Sequence, residues 1–197
     1  MLNSILYFEE HCIKNFEKLE DDFLKNPKGF AEYVFGITDL LCKFGTEMLR
    51  DSLETMDRML CESSFRQKSW TIEAHHTKTL ITSLGDVTFR KTLFLNRQTK
   101  QHSYLLDQIL GLEPKQRLTE DAAARMLEEA VQTSYGRGAQ QASLGTQVSR
   151  QTVKNRIHAL KFPPAAQTSG PKRKVDRLYI DADEDHVALQ FREKKGD

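Results

Sequence analysis

Asp181 and Asp183 stand two residues apart in LYIDADEDHVALQF, residues 178–191. Side chains alternate with period two along a strand, so this spacing puts both carboxylates on one face, with Tyr179. Leu178, Ile180 and Ala182 share the other face. After Glu184-Asp185 the alternation resumes, with Val187, Leu189 and Phe191 apolar. The pattern predicts a β-hairpin with acids at its bend. Carboxylate oxygens are the ligands Mg2+ takes, and an acid that ends an apolar strand is well placed to be a first metal ligand. An acidic turn facing solvent fits the same residues. The two carboxylates lie ~6.6 Å apart along the strand, so one could hold a metal while the other tunes it.

A second group of residues has chemistry suited to phosphates and base edges. In RQTVKNRIHAL, residues 150–160, Ser149 is placed to cap a helix whose inner face is Val153, Ile157 and Leu160. Arg150, Gln151, Lys154, Asn155 and His158 then point outward. Arginine and lysine reach guanine edges or phosphates, and glutamine and asparagine pair with adenine in the major groove. Upstream, Thr119 can cap a helix running through Ala122-Ala123-Ala124, Met126, Leu127 and Val131. Gly136 and Gly138 frame a break around Arg137, and a short helix is expected over Ala139–Leu144 before a turn at Gly145. The whole is a helix-turn-helix pattern. Gln147 stands where such turns usually carry glycine. A helical hairpin with no DNA partner shares these features.

The charge distribution bears on this choice. Residues 1–65 carry seven basic and thirteen acidic side chains, residues 66–117 nine and four, residues 118–174 nine and four, and residues 175–197 four and seven. A basic middle of about +10 lies between acidic ends, the footprint expected of phosphate contact. Ordinary surface lysines and arginines would give the same count. The linker KFPPAAQTSGPKRKV adds Lys172, Arg173 and Lys174 in an extended, proline-containing stretch. Cys12, Cys42 and Cys61 are an odd set without C-x-x-C spacing, which points to free thiols in a reducing cytoplasm. No apolar run approaches the ~20 residues of a membrane span, and LNSILYF lacks the basic front of a signal peptide.

The elements that must position these groups follow in order. Ile5, Phe8, Cys12, Phe16, Leu19 and Phe23 have helical spacing, and Asn26-Pro27 breaks it. A longer helix is expected over 30–61. Its apolar stripe fits either a dimer seam or, more plainly, a helical hairpin with the first helix. Residues 66–117 are rich in threonine, aromatic and β-branched residues. Strands are expected over Ser69–Ala74, Lys78–Thr82 and Val87–Asn96, with a turn at Leu84-Gly85-Asp86. Adjacent His75 and His76 would face opposite sides of a strand, so a solvated turn is the expected reading there rather than a metal site. The fold class expected is α+β. Residues 1–65 form a helical hairpin or oligomerisation region, 66–117 a basic β-rich segment and 118–160 the helix-turn-helix. Residues 161–176 are a linker, and 177–197 begin a further domain.

Three stretches, LGDVTFRKTLF leading to YLLDQILGL, VSRQTVKNRI and YIDADEDHVALQ, occur in an order that resembles a family of bacterial insertion-sequence transposases. More distantly the chain is similar to the Mutator-type DDE transposases. The resemblance covers most of residues 66–191. It implies double-stranded DNA at the element's ends as partner, and an RNase H-like domain with a DDE acid triad. It also implies two Mg2+ ions that activate the attacking oxygen and stabilise the leaving one. The first acid and metal ligand falls on Asp183; Asp181 occupies a position where relatives often carry glutamate, and Glu184 one where glycine is frequent. The second Asp and the Glu of such families are expected beyond Asp197. This polypeptide alone is therefore expected to be inactive, an N-terminal part of a transposase retaining DNA binding, with residues 171–197 poorly anchored. A homodimer is implied by analogy. The alternatives are a non-enzymatic helix-turn-helix regulator and a helical interaction protein.

Overall fold

Apolar residues spaced alternately by three and four place residues 30–62 on one helix, and the chain folds around it. The computed structural model describes residues 3–161. α1 (Asn3–Tyr7) passes through a wider π turn at Phe8–Cys12 into α2 (Ile13–Lys25). Pro27–Gly29 form a 3-10 turn, and α3 (Phe30–Glu62) returns antiparallel as a rod about 50 Å long. The amino-terminal half of α3 packs on α1 and α2. Phe8 meets Phe44 at 5.0 Å between ring centroids, and Phe23 stacks on Tyr33 at 4.6 Å. The backbone N–H and hydroxyl of Ser4 both donate to Asp51 Oδ2, at 3.1 and 3.0 Å, so an α3 carboxylate satisfies a free donor of the first turn of α1.

The other half of α3 packs on a sheet. After the short α4 (Ser64–Ser69), β1 (Trp70–Thr82) and β2 (Gly85–Asn96) form an antiparallel hairpin, and β3 (His102–Ser103) adds two pairs to the far side of β2. Leu53, Met56 and Leu60 of α3 cover Leu80, Val87, Phe89 and Leu106. Glu54 accepts the backbone N–H of Arg90 at 2.9 Å, and Asp57 accepts both the N–H and the hydroxyl of Thr92, at 3.1 and 2.6 Å. The described residues thus form an α+β arrangement.

Two expected strands are one. β1 runs unbroken through His75 and His76, with a bulge between Ile72 and Ala74. The polar run that reads as a turn lies in the strand because each histidine finds a partner on its own side. His75 Nδ1 lies 3.0 Å from Thr92 Oγ1, and His76 Nδ1 lies 2.7 Å from the Tyr104 hydroxyl. The hairpin turn is Ser83-Leu84, one position earlier than expected, and Gly85 opens β2 at φ +144°, a backbone that favours glycine.

α5 (Leu105–Ile109) closes the sheet. Three helices follow: α6 (Glu120–Gln132), α7 (Tyr135–Gln141) and α8 (Arg150–Ala159). Ala122, Ala123, Met126, Ala130, Ala139, Ala142 and Val153 form their core together with Ile81 and Leu118. The unit is tied to the turn end of the hairpin. Ile81 exchanges backbone hydrogen bonds with Arg117 and Thr119, at 2.7 and 3.1 Å, and Leu144 N–H donates to Ser83 O at 3.3 Å. Thr119 occupies the position before α6, but its hydroxyl donates to Ile81 O at 2.9 Å instead of capping the helix.

Asp121 in the first turn of α6 accepts the Ser83 N–H at 2.8 Å. Burial pushes its carboxyl up, but the neighbouring Thr119 hydroxyl and the hydrogen bond from Ser83 outweigh that and hold it below the ordinary carboxylate value. A depressed folded-state value adds stability that is present above the unfolded value of about 3.9 and lost as pH falls through the folded value. The difference in melting temperature between the native chain and Asp121→Asn will therefore be constant near neutrality and narrow below about pH 4. A gap that stays the same down to acid pH would remove the ionised carboxylate from this contact.

Candidate nucleic-acid interface

α8 begins where a polar loop meets a serine. The Ser149 hydroxyl oxygen accepts the Thr152 N–H at 3.1 Å, the capping expected of serine at this position. Val153 is fully buried and Ile157 half-buried against α6 and α7, which fixes how α8 is rotated. Leu160, expected on the inner face, lies at the helix end and is 44% exposed, because the helix stops before it can turn inward.

At 3.6 residues per turn the outward residues separate into a centre and two flanks. Gln151, Asn155 and His158 are exposed on the side opposite Val153 and Ile157. Gln151 Nε2 donates to Asn155 Oδ1 at 2.7 Å, so the two amides form a coupled pair one turn apart. Lys154 lies on one flank, half-buried. Arg150 lies on the same flank with its guanidinium against Gly136 of α7, where an added Cβ would come 3.2 Å from its Nε. Arg137 is exposed on α7, beside that contact in sequence. Thr152 and Arg156 form the other flank and line a cleft of about 680 Å³ between α8 and the loop Glu113–Arg117. Arg156 is the site residue that residue spacing did not bring forward. The signal was present: it lies three and four residues from Val153 and Thr152, so it sits at the edge of the exposed arc.

α7 differs from expectation. Gly136 and Gly138 lie inside the helix, and the chain breaks earlier, at Thr133-Ser134. The Ser134 hydroxyl oxygen accepts the Arg137 N–H at 3.3 Å and starts α7 there. Gly138 crosses α6 so closely that a Cβ would sit 2.6 Å from both Ala130 Cβ and the Met126 carbonyl oxygen. Gly145 lies in the turn before α8, against Gly85 of the hairpin.

Asp181, Asp183, Lys172, Arg173 and Lys174 lie outside the described residues, as does the RNase H-like domain expected around the two acids. Among the described residues no group of three histidine, cysteine, aspartate or glutamate side chains could hold a metal ion. Among them also, no helix is long and apolar enough to cross a membrane.

Residues 23–197 match the family described as Uncharacterised protein family (UPF0236). A protein of Caldanaerobacter subterraneus subsp. tengcongensis is 32% identical over 190 residues, covering 96% of this chain and 40% of its own length. Its printed name joins eleven locus tags of that one bacterium. Two further proteins of the same organism, UPF0236 protein TTE2489 and UPF0236 protein TTE0402, are 31% and 30% identical, again over 96% of this chain. The chain spans about two-fifths of the length of these relatives. No solved structure matches.

Proposed function

The chain belongs to the uncharacterised protein family UPF0236, and from that premise we propose that it carries the duplex-DNA-binding region of a DNA transposase. One observation carries the reading: α8 presents paired amides at its exposed centre with basic side chains on both flanks. A helix in the major groove reads bases along its centre and meets a phosphate backbone on either side. In this reading α6, α7 and α8 are the helix-turn-helix, with α8 the recognition helix. The occurrence of a relative at many loci in one bacterium supports a mobile element, since transposition leaves such copies.

Cleavage and strand transfer belong to the RNase H-like part, where Asp183 is the first acid, with Asp181 beside it. Their carboxylate oxygens have the chemistry of Mg2+ ligands, and Mg2+ supplies charge stabilisation to the phosphoryl oxygens.

The test is duplex binding by the 197-residue chain as salt rises. Affinity will fall linearly in a plot of log K against log salt. On a duplex selected from a random-sequence pool, Asn155→Ala will cost about 1–3 kcal/mol and relax the preference at one base position. Lys154→Ala will weaken all duplexes and make the salt slope shallower by about 1. Binding indifferent to salt, or absent, would end the reading.

A further inference from the structure

A second basic surface lies away from the exposed centre of α8. β1, β2 and α5 enclose a cleft of about 760 Å³ that ends on the loop Pro114–Arg117. The same four residues wall the cleft beside α8. The loop is therefore a partition with one basic groove on each side.

The sheet cleft is cationic by construction. Lys78 and Lys91, with side chains 10% and 7% exposed, both bond one carboxylate oxygen of Asp107, Oδ2. Two ammonium groups thus share one anion. Asp107 is the single acid among the described lining residues, while Lys115 and Arg117 add two exposed cations at the rim. One face of Tyr104 is already covered by a lysine. Lys91 Nζ sits 3.6 Å from its ring centroid, and its hydroxyl is taken by His76. Lys78, Lys91, Lys115 and Arg117 outnumber its one acid, so the lining suits a phosphate backbone.

The loop is also built to hold its shape. Gln116 Oε1 accepts the Glu113 N–H at 2.9 Å, and its Nε2 donates to Leu118 O at 3.0 Å. The Arg117 carbonyl accepts from Ile81 at 2.7 Å, and Lys115 adopts the left-handed φ of +65°. A loop whose backbone is already held loses little further backbone freedom on binding.

We propose that the Pro114–Arg117 loop is a backbone clamp for duplex DNA. Lys115 and Arg117 hold the phosphates of one strand beside α8, and that strand continues toward the sheet cleft. This rests on the reading of α8 as the recognition helix. Arg156 faces the loop across the smaller cleft, so the clamp and the helix meet the same strand.

The experiment measures duplex affinity against salt for the full chain and for Lys115→Gln/Arg117→Gln, with Asn155→Ala alongside. Both loop residues are exposed, so folding should be retained, as circular dichroism will verify. Loss of two phosphate contacts will make the salt slope shallower by about 1.8 and weaken selected and random duplexes equally. Asn155→Ala will instead affect only the selected duplex. An unchanged slope in the loop variant, with Asn155→Ala still impaired, overturns the clamp and leaves the α8 reading standing. A loss confined to single-stranded probes also overturns it. Failure of the native chain to bind any duplex removes both.

Discussion

Replacing Asp107 by alanine will destabilise the protein by about 3–5 kcal/mol at neutral pH, the range seen when one partner of a buried ion pair is removed. Lys78 and Lys91 both turn to this carboxylate, and neither has another anion within reach in the described ion pairs. Burial already holds the Lys91 ammonium below the ordinary lysine value, against the opposing pull of Asp107. Without Asp107 the burial is uncompensated. Two further results identify the cause. The deficit will shrink as pH rises toward about 10, because a lysine with a depressed folded-state value sheds its proton before its unfolded counterpart does. Lys91→Met in the Asp107→Ala background will recover part of the loss, since a buried charge is replaced by an apolar side chain of similar length. Chemical denaturation of the four variants across pH gives the coupling directly. A deficit below about 1 kcal/mol would place the two lysines in water, as in surface pairs.

Gly138→Ala will destabilise the three-helix unit, although alanine is the better helix former by about 1 kcal/mol. The new Cβ would lie 2.6 Å from the Met126 carbonyl oxygen and 2.6 Å from Ala130 Cβ. The first obstacle is backbone and cannot rotate away. Overpacking of this kind costs about 1–3 kcal/mol, so the clash prevails. Gly136→Ala is the control. Its Cβ meets only the Arg150 guanidinium, at 3.2 Å, the far end of a flexible side chain. That variant will keep or gain stability. Because α7 supports α8 through Ala139 and Val153, the Gly138 variant will also lose duplex affinity, while the Gly136 variant will change it only through the seat of Arg150. Equal melting temperatures for the two variants would mean that α6 and α7 separate freely at their crossing.

Much of this architecture can be read from residue spacing. The three-and-four rhythm from Phe30 onward is a helix because no proline interrupts it, and Ser149 caps α8 as serine before an apolar-periodic run should. Val87, Phe89 and Lys91 alternate onto one face of the expected strand, and all three are buried. What spacing could not convey was why a lysine belongs there. Its partner Asp107 lies sixteen residues away on α5, and only the folded sheet brings them together. The same limit hid the continuity of β1. His75 and His76 look like a turn until Thr92 and Tyr104, from other elements, supply their partners. Glycine misled in the opposite direction. Gly136 and Gly138 suggest a break, yet Ser134 starts a helix through both, and one of them is needed for contact, not for bending. For the interface, outward residues of α8 were legible and the loop across from Arg156 was not, because a loop has no period to follow.

The carboxylates of Glu54 and Asp57 also govern which kinds of self-association the sheet permits. Among the described residues β2 has no strand on its far side along most of its length, and unpaired N–H groups there would template another chain. Those of Arg90 and Thr92 are already taken by the helix. The opposite margin, on β1, is interrupted near its start by the bulge at Glu73 and occupied at its end by Arg117 and Thr119. Parts of both margins are thus guarded against strand addition among the described residues. Over these stretches the sheet offers another chain few free backbone groups to pair with, which disfavours fibril-like stacking there.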